Sequence, residues 1–141
     1  MGKIKCTRVW LGALAGWAIF MIWSGVTNFL VLMPKYAAAQ AAEQMLAEPR
    51  YPFFMAVWAV TLFAVAVIGA FLYAASRATL GAGPKTALII GALVGFAAGF
   101  PIDFSLSAWA TFPRVIPLWW LLELGVGSVL STLVAGFIYR E

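Results

Sequence analysis

Four apolar runs dominate this chain, and each is long enough to cross a lipid bilayer as a helix. They cover 9–33, 53–75, 86–112 and 115–139. A hydrocarbon core about 30 Å thick, at 1.5 Å of rise per residue, asks for about 20 residues per helix. The second run contains no charge at all; the third is interrupted only by Pro101 and Asp103, and the fourth holds Glu123. Hydrophobic residues make up 65% of the 141 and charged residues 10%, against about 25% charged in a soluble domain. One core of this size could not hide so much apolar surface from water, whereas a bilayer removes the need to hide it. The expected fold is all-α: a polytopic integral membrane protein, a single domain over 1–141 built as an antiparallel four-helix transmembrane bundle.

The first run has a basic start in Lys3, Lys5 and Arg8, and Ala37, Ala38 and Ala39 resemble a small-residue cleavage site. A cleaved signal peptide has an apolar core of about 7–15 residues. This run is longer, and Pro34 and Lys35 separate it from the alanines, so it is expected to stay as a span. Orientation follows the excess of basic residues on the cytoplasmic side. With the N-terminus inside, Lys3, Lys5, Arg8, Arg77, Lys85 and Arg140 are cytoplasmic and Lys35, Arg50 and Arg114 are outside. Both termini are therefore expected in the cytoplasm, in a bacterial inner membrane. Trp109, Trp119 and Trp120 are expected near the outer interface, and Trp10, Tyr73 and Tyr139 near the inner one, where aromatic rings collect.

The long connection, 34–52, is outside in this topology. Its alanines favour helix and Pro49 and Pro52 would end it, so a short helix lying on the membrane or over the bundle is expected; an arm that docks a partner is the other reading. The connection 76–84 carries Gly81 and Gly83 and reads as a turn.

The composition excludes several chemistries. The chain has one cysteine, Cys6, and no histidine. It can form no internal disulfide, no Cys/His zinc cluster, no His-ligated haem and no Ser-His-Asp triad. No metal and no cofactor is expected. Cys6 reads as a small residue near the membrane surface, with lipidation as an alternative. The net charge of +4 is spread over helix ends and loops and matches head groups, so no nucleic-acid partner is expected. The expected partners are the lipid bilayer and, beyond it, a second copy or a larger membrane complex.

Helices in lipid associate through close backbone contact at small residues. The third run has Gly91, Gly95 and Gly99 in a row that continues to Asp103 and Ser107. The fourth has Glu123, Gly127, Ser131 and Ala135 at the same spacing, and the first a weaker row of Gly12, Gly16, Phe20, Ser24 and Asn28. A tight turn joins the third and fourth runs. Their rows are therefore expected to face each other, with Asp103 level with Glu123, Gly99 with Gly127, Gly95 with Ser131 and Gly91 with Ala135.

Asp103 and Glu123 each lie about eight residues from that turn, roughly 12 Å below the surface. An acid at such depth costs on the order of 2.5–3.5 kcal/mol on insertion scales, and such residues turn toward a bundle interior or a watery cavity. Asn28 is expected at a similar depth, with Ser24, Ser105 and Ser107 nearby. Arg114 in the turn above could reach down toward an acid. Trp23, Trp58, Trp109, Trp119 and Trp120 are candidate walls, and Pro101 could kink the helix open beside Asp103. Three readings of the acids stand side by side. They are structural glue, sharing a proton or pairing with Arg114 and Asn28; or they line a site for a proton, a cation or a small cationic solute; or they are a catalytic acid/base pair. The matching functions are a structural or accessory component of a membrane assembly, a transporter or channel subunit, and a membrane enzyme acting on lipid or quinone.

Overall fold

Long apolar sequence becomes helix throughout. The computed structural model describes residues 4–139; Lys3 and Arg140, two of the residues used for orientation, lie outside the described residues. The helices are α1 (Cys6–Gly25), a π-helical segment (Val26–Leu32), α2 (Met33–Ala41), α3 (Phe54–Leu80), α4 (Pro84–Trp109) and α5 (Val115–Ile138). Taking α1, the π segment and α2 as one continuous helix, four helices are long and apolar enough to cross a membrane. Much of the exterior is apolar: Leu30, Ile22, Val60, Leu93, Ile102 and Phe137 are all more than 60% exposed.

The first helix does not stop where its proline suggests. It runs from Cys6 to Ala41, 36 residues. In an α-helix the Pro34 ring would collide with the carbonyl of Leu30 and leave it without a donor. The π segment immediately ahead of Pro34 widens the turns there, one of the known ways a helix absorbs such an insult. Pro34 then sits in the first turn of α2, where a missing N–H costs nothing. The helix ends at Ala41, with Glu43 in the left-handed region (φ 57°) and the amide of Gln44 reaching back to Ala39 O at 2.9 Å. The expected surface helix running to Pro49 is thus corrected. Helix occupies the beginning of 34–52 as an extension of the first span, and 42–53 is irregular, tied locally by Gln40 Nε2 to the carbonyls of Leu46 and Ala47.

Helix α5 is the hub, and its small-residue row meets a different partner from the one expected. A Cβ built on Gly12 would lie 3.1 Å from Ala135, and one on Gly16 2.6 Å from Ser131; one on Gly127 would fall on the ring of Phe20. Ser24 hydrogen-bonds Glu123. The row Gly12, Gly16, Phe20, Ser24 of α1 thus lies against the row Ala135, Ser131, Gly127, Glu123 of α5, position by position. The glycines of α4 pack on the neighbouring face of α5: Gly91 against Ser128 and Val129, Gly95 against Leu124 and Gly125, Gly99 against Leu121 and Leu124. The register expected between α4 and α5 is therefore wrong by about a turn and a half. The residues of α5 that were to meet the α4 glycines, Gly127 and Ser131, face α1 instead. Rows at four-residue spacing drift around the helix, so one α5 helix carries two such faces, and only packing decides which neighbour takes each.

Two ends of the bundle differ in chemistry. At one, Lys5 donates its backbone N–H to the Tyr139 hydroxyl (2.9 Å) and Gly83 donates its own to the Tyr73 hydroxyl (3.1 Å), so the first and last described residues and the 81–83 turn lie together. Tyr73 and Tyr139, expected near the inner interface, are 2% and 8% exposed and pack into the bundle. At the other end are the 42–53 connection, the 110–114 turn and a cluster of Leu32, Ala39 and Ile116 with Tyr36, Phe112, Trp119 and Trp120 around it. The half of the bundle toward the chain ends holds the buried hydroxyls of Ser128, Ser131 and Thr132 on α5.

Candidate functional site

Glu123 is completely buried, 0% exposed, on the face of α5 that meets α1. Ser24 of α1 donates a short hydrogen bond to its Oε1. Asn28, one turn later in the π segment, donates from Nδ2 to Oε2 at 3.0 Å and to the backbone carbonyl of Ser24 at 3.0 Å. The Asn28 Oδ1 accepts from the Tyr36 hydroxyl at 2.8 Å, and that hydroxyl accepts from Trp120 Nε1 at 2.6 Å. On the other side, Trp58 Nε1 of α3 donates to Ser24 Oγ at 3.3 Å.

The direction of the bonds from Trp120 to Asn28 can be worked out from the indole end. An indole N–H can only donate. Trp120 donates to Tyr36, so the Tyr36 hydrogen must go onward, to the Asn28 carbonyl oxygen. That orients the Asn28 amide with its NH2 toward Glu123. Trp58 occupies one lone pair of Ser24 Oγ, and the Ser24 hydroxyl donates to Glu123. Both branches terminate on the carboxylate, and both of its oxygens are acceptors. Hydrogen bonds contribute about 0.5–3 kcal/mol each, the upper part of that range where one partner is charged, so two of them offset part or all of the roughly 2.5–3.5 kcal/mol that a membrane acid costs. The network ties α1, the π segment, α2, α3 and α5 to one side chain.

Asp103 stands apart from this arrangement. It is 7% exposed, and its Oδ2 is buried with no hydrogen-bond partner. Helical side chains slant toward the helix N-terminus. The carboxyl accordingly drops over Gly99, whose Cβ position is 3.3 Å from Oδ2 and equally close to Leu121 and Leu124 of α5. It lies within electrostatic range of Glu123, but no hydrogen bond joins the two acids among the described residues. A proton shared directly between them is therefore not the arrangement found.

The remaining expected site residues divide clearly. Asn28 and Trp58 are in the network, and Trp120 enters through Tyr36. Trp119 packs beside Trp120 in the cluster at that end. Trp23 is half-buried with its Nε1 unpartnered. Trp109 is 89% exposed and walls nothing. Arg114 is exposed at the start of α5 and is not among the partners of Glu123. Ser105 and Ser107 are turned to their own helix, donating to the carbonyls of Pro101 and Phe104. Pro101 lies inside an unbroken α4. Tyr36 is the network member that sequence reasoning missed. It stands two turns beyond Asn28, a usable signal only if the helix is allowed to continue past Pro34.

Two cavities lie away from Asp103 and Glu123. One lies at the chain-end side of the bundle among Tyr73, Arg77 and Tyr139; the other is an apolar groove between α4 and α5. No group of three or more acids, cysteines or histidines that could hold a metal ion occurs among the described residues. No family model, curated protein or solved structure matches the chain.

Proposed function

We propose that this chain is an integral membrane protein of the bacterial inner membrane, an antiparallel four-helix bundle with both termini in the cytoplasm, acting as a structural or accessory component of a membrane assembly. The apolar exterior and the four helices of spanning length support insertion. At about 54 Å, the first helix exceeds a 30 Å hydrocarbon core, so α2 projects beyond the lipid as an arm on the outer side, where a larger partner would meet it.

The observation that carries the structural reading is the state of the Glu123 carboxylate. Protein donors fill both of its oxygens, and the side chain is fully buried. A transport site needs a position that a passing ion can enter and leave, whereas a carboxylate saturated by side chains from several helices holds those helices together.

A second reading, a transporter or channel subunit handling a proton or small cation, is favoured by the unpartnered Oδ2 of Asp103 beside Glu123. Reconstituted vesicles separate the two. The structural reading expects Asp103→Asn and Asp103→Asn/Glu123→Gln proteins to show the same pH-driven proton or cation uptake as empty vesicles and as the parent. Uptake by the parent that is lost in a folded Asp103→Asn variant would replace the structural reading with the transport one.

A further inference from the structure

We infer that the outer half of α4 is the docking face for a transmembrane helix of a different protein, one that carries a lysine or arginine at the depth of Asp103. The inference rests on the reading of the chain as an accessory membrane component and names the chemistry of its partner.

Asp103 carries the argument. It is 7% exposed, and its Oδ2 is buried without a hydrogen-bond partner. The other oxygen, Oδ1, keeps the residue's remaining exposure and is the one that a partner's base meets. Glu123 shows how this bundle serves an acid from within: Ser24 and Asn28 donate to its two oxygens. Asp103 has no such donor among the described residues. The hydroxyls nearest to it in sequence, on Ser105 and Ser107, are committed to the carbonyls of Pro101 and Phe104. Ionisable groups at membrane depth pair with other charges or with polar groups, and this one is left without its pair.

The chain has no cation to offer at that depth. No Lys or Arg occurs in 9–34, 51–76, 86–113 or 115–139. The nearest along the chain, Arg114, is exposed at the start of α5, roughly 12 Å above. A second copy inserted the same way brings the same residues at the same depths, so it lacks the cation too. The complementary charge belongs to another chain. In the hydrocarbon layer that chain is a helix, because only helices and closed barrels keep their backbone groups bonded there.

The surface around Asp103 is free to receive it. Ile102 and Phe104, on either side, are 64% and 51% exposed, and Trp109 is 89% exposed. No residue from 100 to 109 belongs to the three core clusters. Exposed apolar residues occur on the other spans as well and suit lipid equally; the unpaired acid sets this face apart.

The full chain, with a donor dye on the exposed Cys6, is reconstituted in phosphatidylcholine vesicles for the test. It is titrated with a synthetic helix of about 20 Leu and Ala residues that bears an acceptor dye and one arginine at its midpoint. A second helix has leucine in place of the arginine, and energy transfer reads association. The arginine helix is expected to bind the parent about tenfold more tightly than the leucine helix, the size that polar contacts between model membrane helices reach. That preference is expected to vanish in Asp103→Asn, whose fold loses no bond at Oδ2. Affinity for the arginine helix is expected to fall in Ile102→Ala/Phe104→Ala and to be unchanged in Val60→Ala, an exposed site on α3.

Equal binding of the two helices by the parent, or the same preference in Asp103→Asn, would overturn the proposal. An equal loss in Val60→Ala and in the α4 variant would overturn the docking face. Octylamine bound saturably through Asp103, with the two helices binding alike, would put a small cation in the partner's place. Energy transfer between labelled copies that needs Asp103 would put a second copy there. The accessory reading fails on a different result, ion uptake by the parent that Asp103→Asn abolishes, so the two failures are told apart.

Discussion

Glu123 is the residue on which the bundle's polar interior converges, and its neighbours are arranged to suit a carboxylate and little else. Glutamine has nearly the same shape but offers one acceptor and one donor, so it would set an NH2 against Ser24 or Asn28. One of those donors would then be buried without a partner, at a cost of about 1–3 kcal/mol. For a chain of this size the loss corresponds to an unfolding temperature lower by about 3–9 °C. Tyr36→Phe removes one link farther out and is expected to cost less, near the roughly 0.6 kcal/mol average for polar contacts between membrane helices. Tryptophan fluorescence checks this variant directly, because Trp120 loses its acceptor while Trp58 keeps its own.

At the scale of elements, the small-residue faces of α5 decide the packing. Gly16→Ala places a methyl 2.6 Å from Ser131 backbone and side chain. It is expected to push α1 off α5 and to lower thermal stability by several degrees. Gly25→Ala, where a Cβ would meet nothing within 4 Å, is expected to be neutral or slightly stabilising, since alanine is the better helix former. Equal effects from the two in a thermal-unfolding assay would contradict the α1–α5 register. The spans themselves were legible because apolar runs of that length leave a chain few alternatives. The glycine row of α4 was legible as a contact face, and the meeting of Asn28 with Glu123 as a shared depth. The partner of each α5 face was not legible. Chain neighbours joined by a tight turn are the natural assumption, yet α5 offers one face to α4 and the next to α1, and a one-dimensional spacing does not say which. The helix end near Pro34 was misread for a related reason: proline breaks an α-helix but not a helix whose preceding turns have widened to π geometry.

For the molecule as a whole, the topology gives a direct prediction through its single cysteine. Cys6 is exposed and free, and in the proposed topology, with both termini in the cytoplasm, it faces away from the outside of the cell. A membrane-impermeant maleimide is expected to leave it unlabelled in intact cells and to label it once the cells are opened. A cysteine placed at the exposed position Glu48, in a background where Cys6 is serine, is expected to label in intact cells. The reverse pattern would invert the bundle. The α2 arm would then face the cytoplasm.

The central claim is that the Glu123 network exists to hold helices together rather than to move an ion. The most direct measurement is the thermal unfolding of Glu123→Gln and Asp103→Asn proteins in the same lipid nanodiscs, each compared with the parent. The network predicts a loss of about 3–9 °C for Glu123→Gln. Asp103→Asn should stay within about 2 °C of the parent, because its Oδ2 has no partner to lose. A Glu123→Gln protein as stable as the parent would contradict the account.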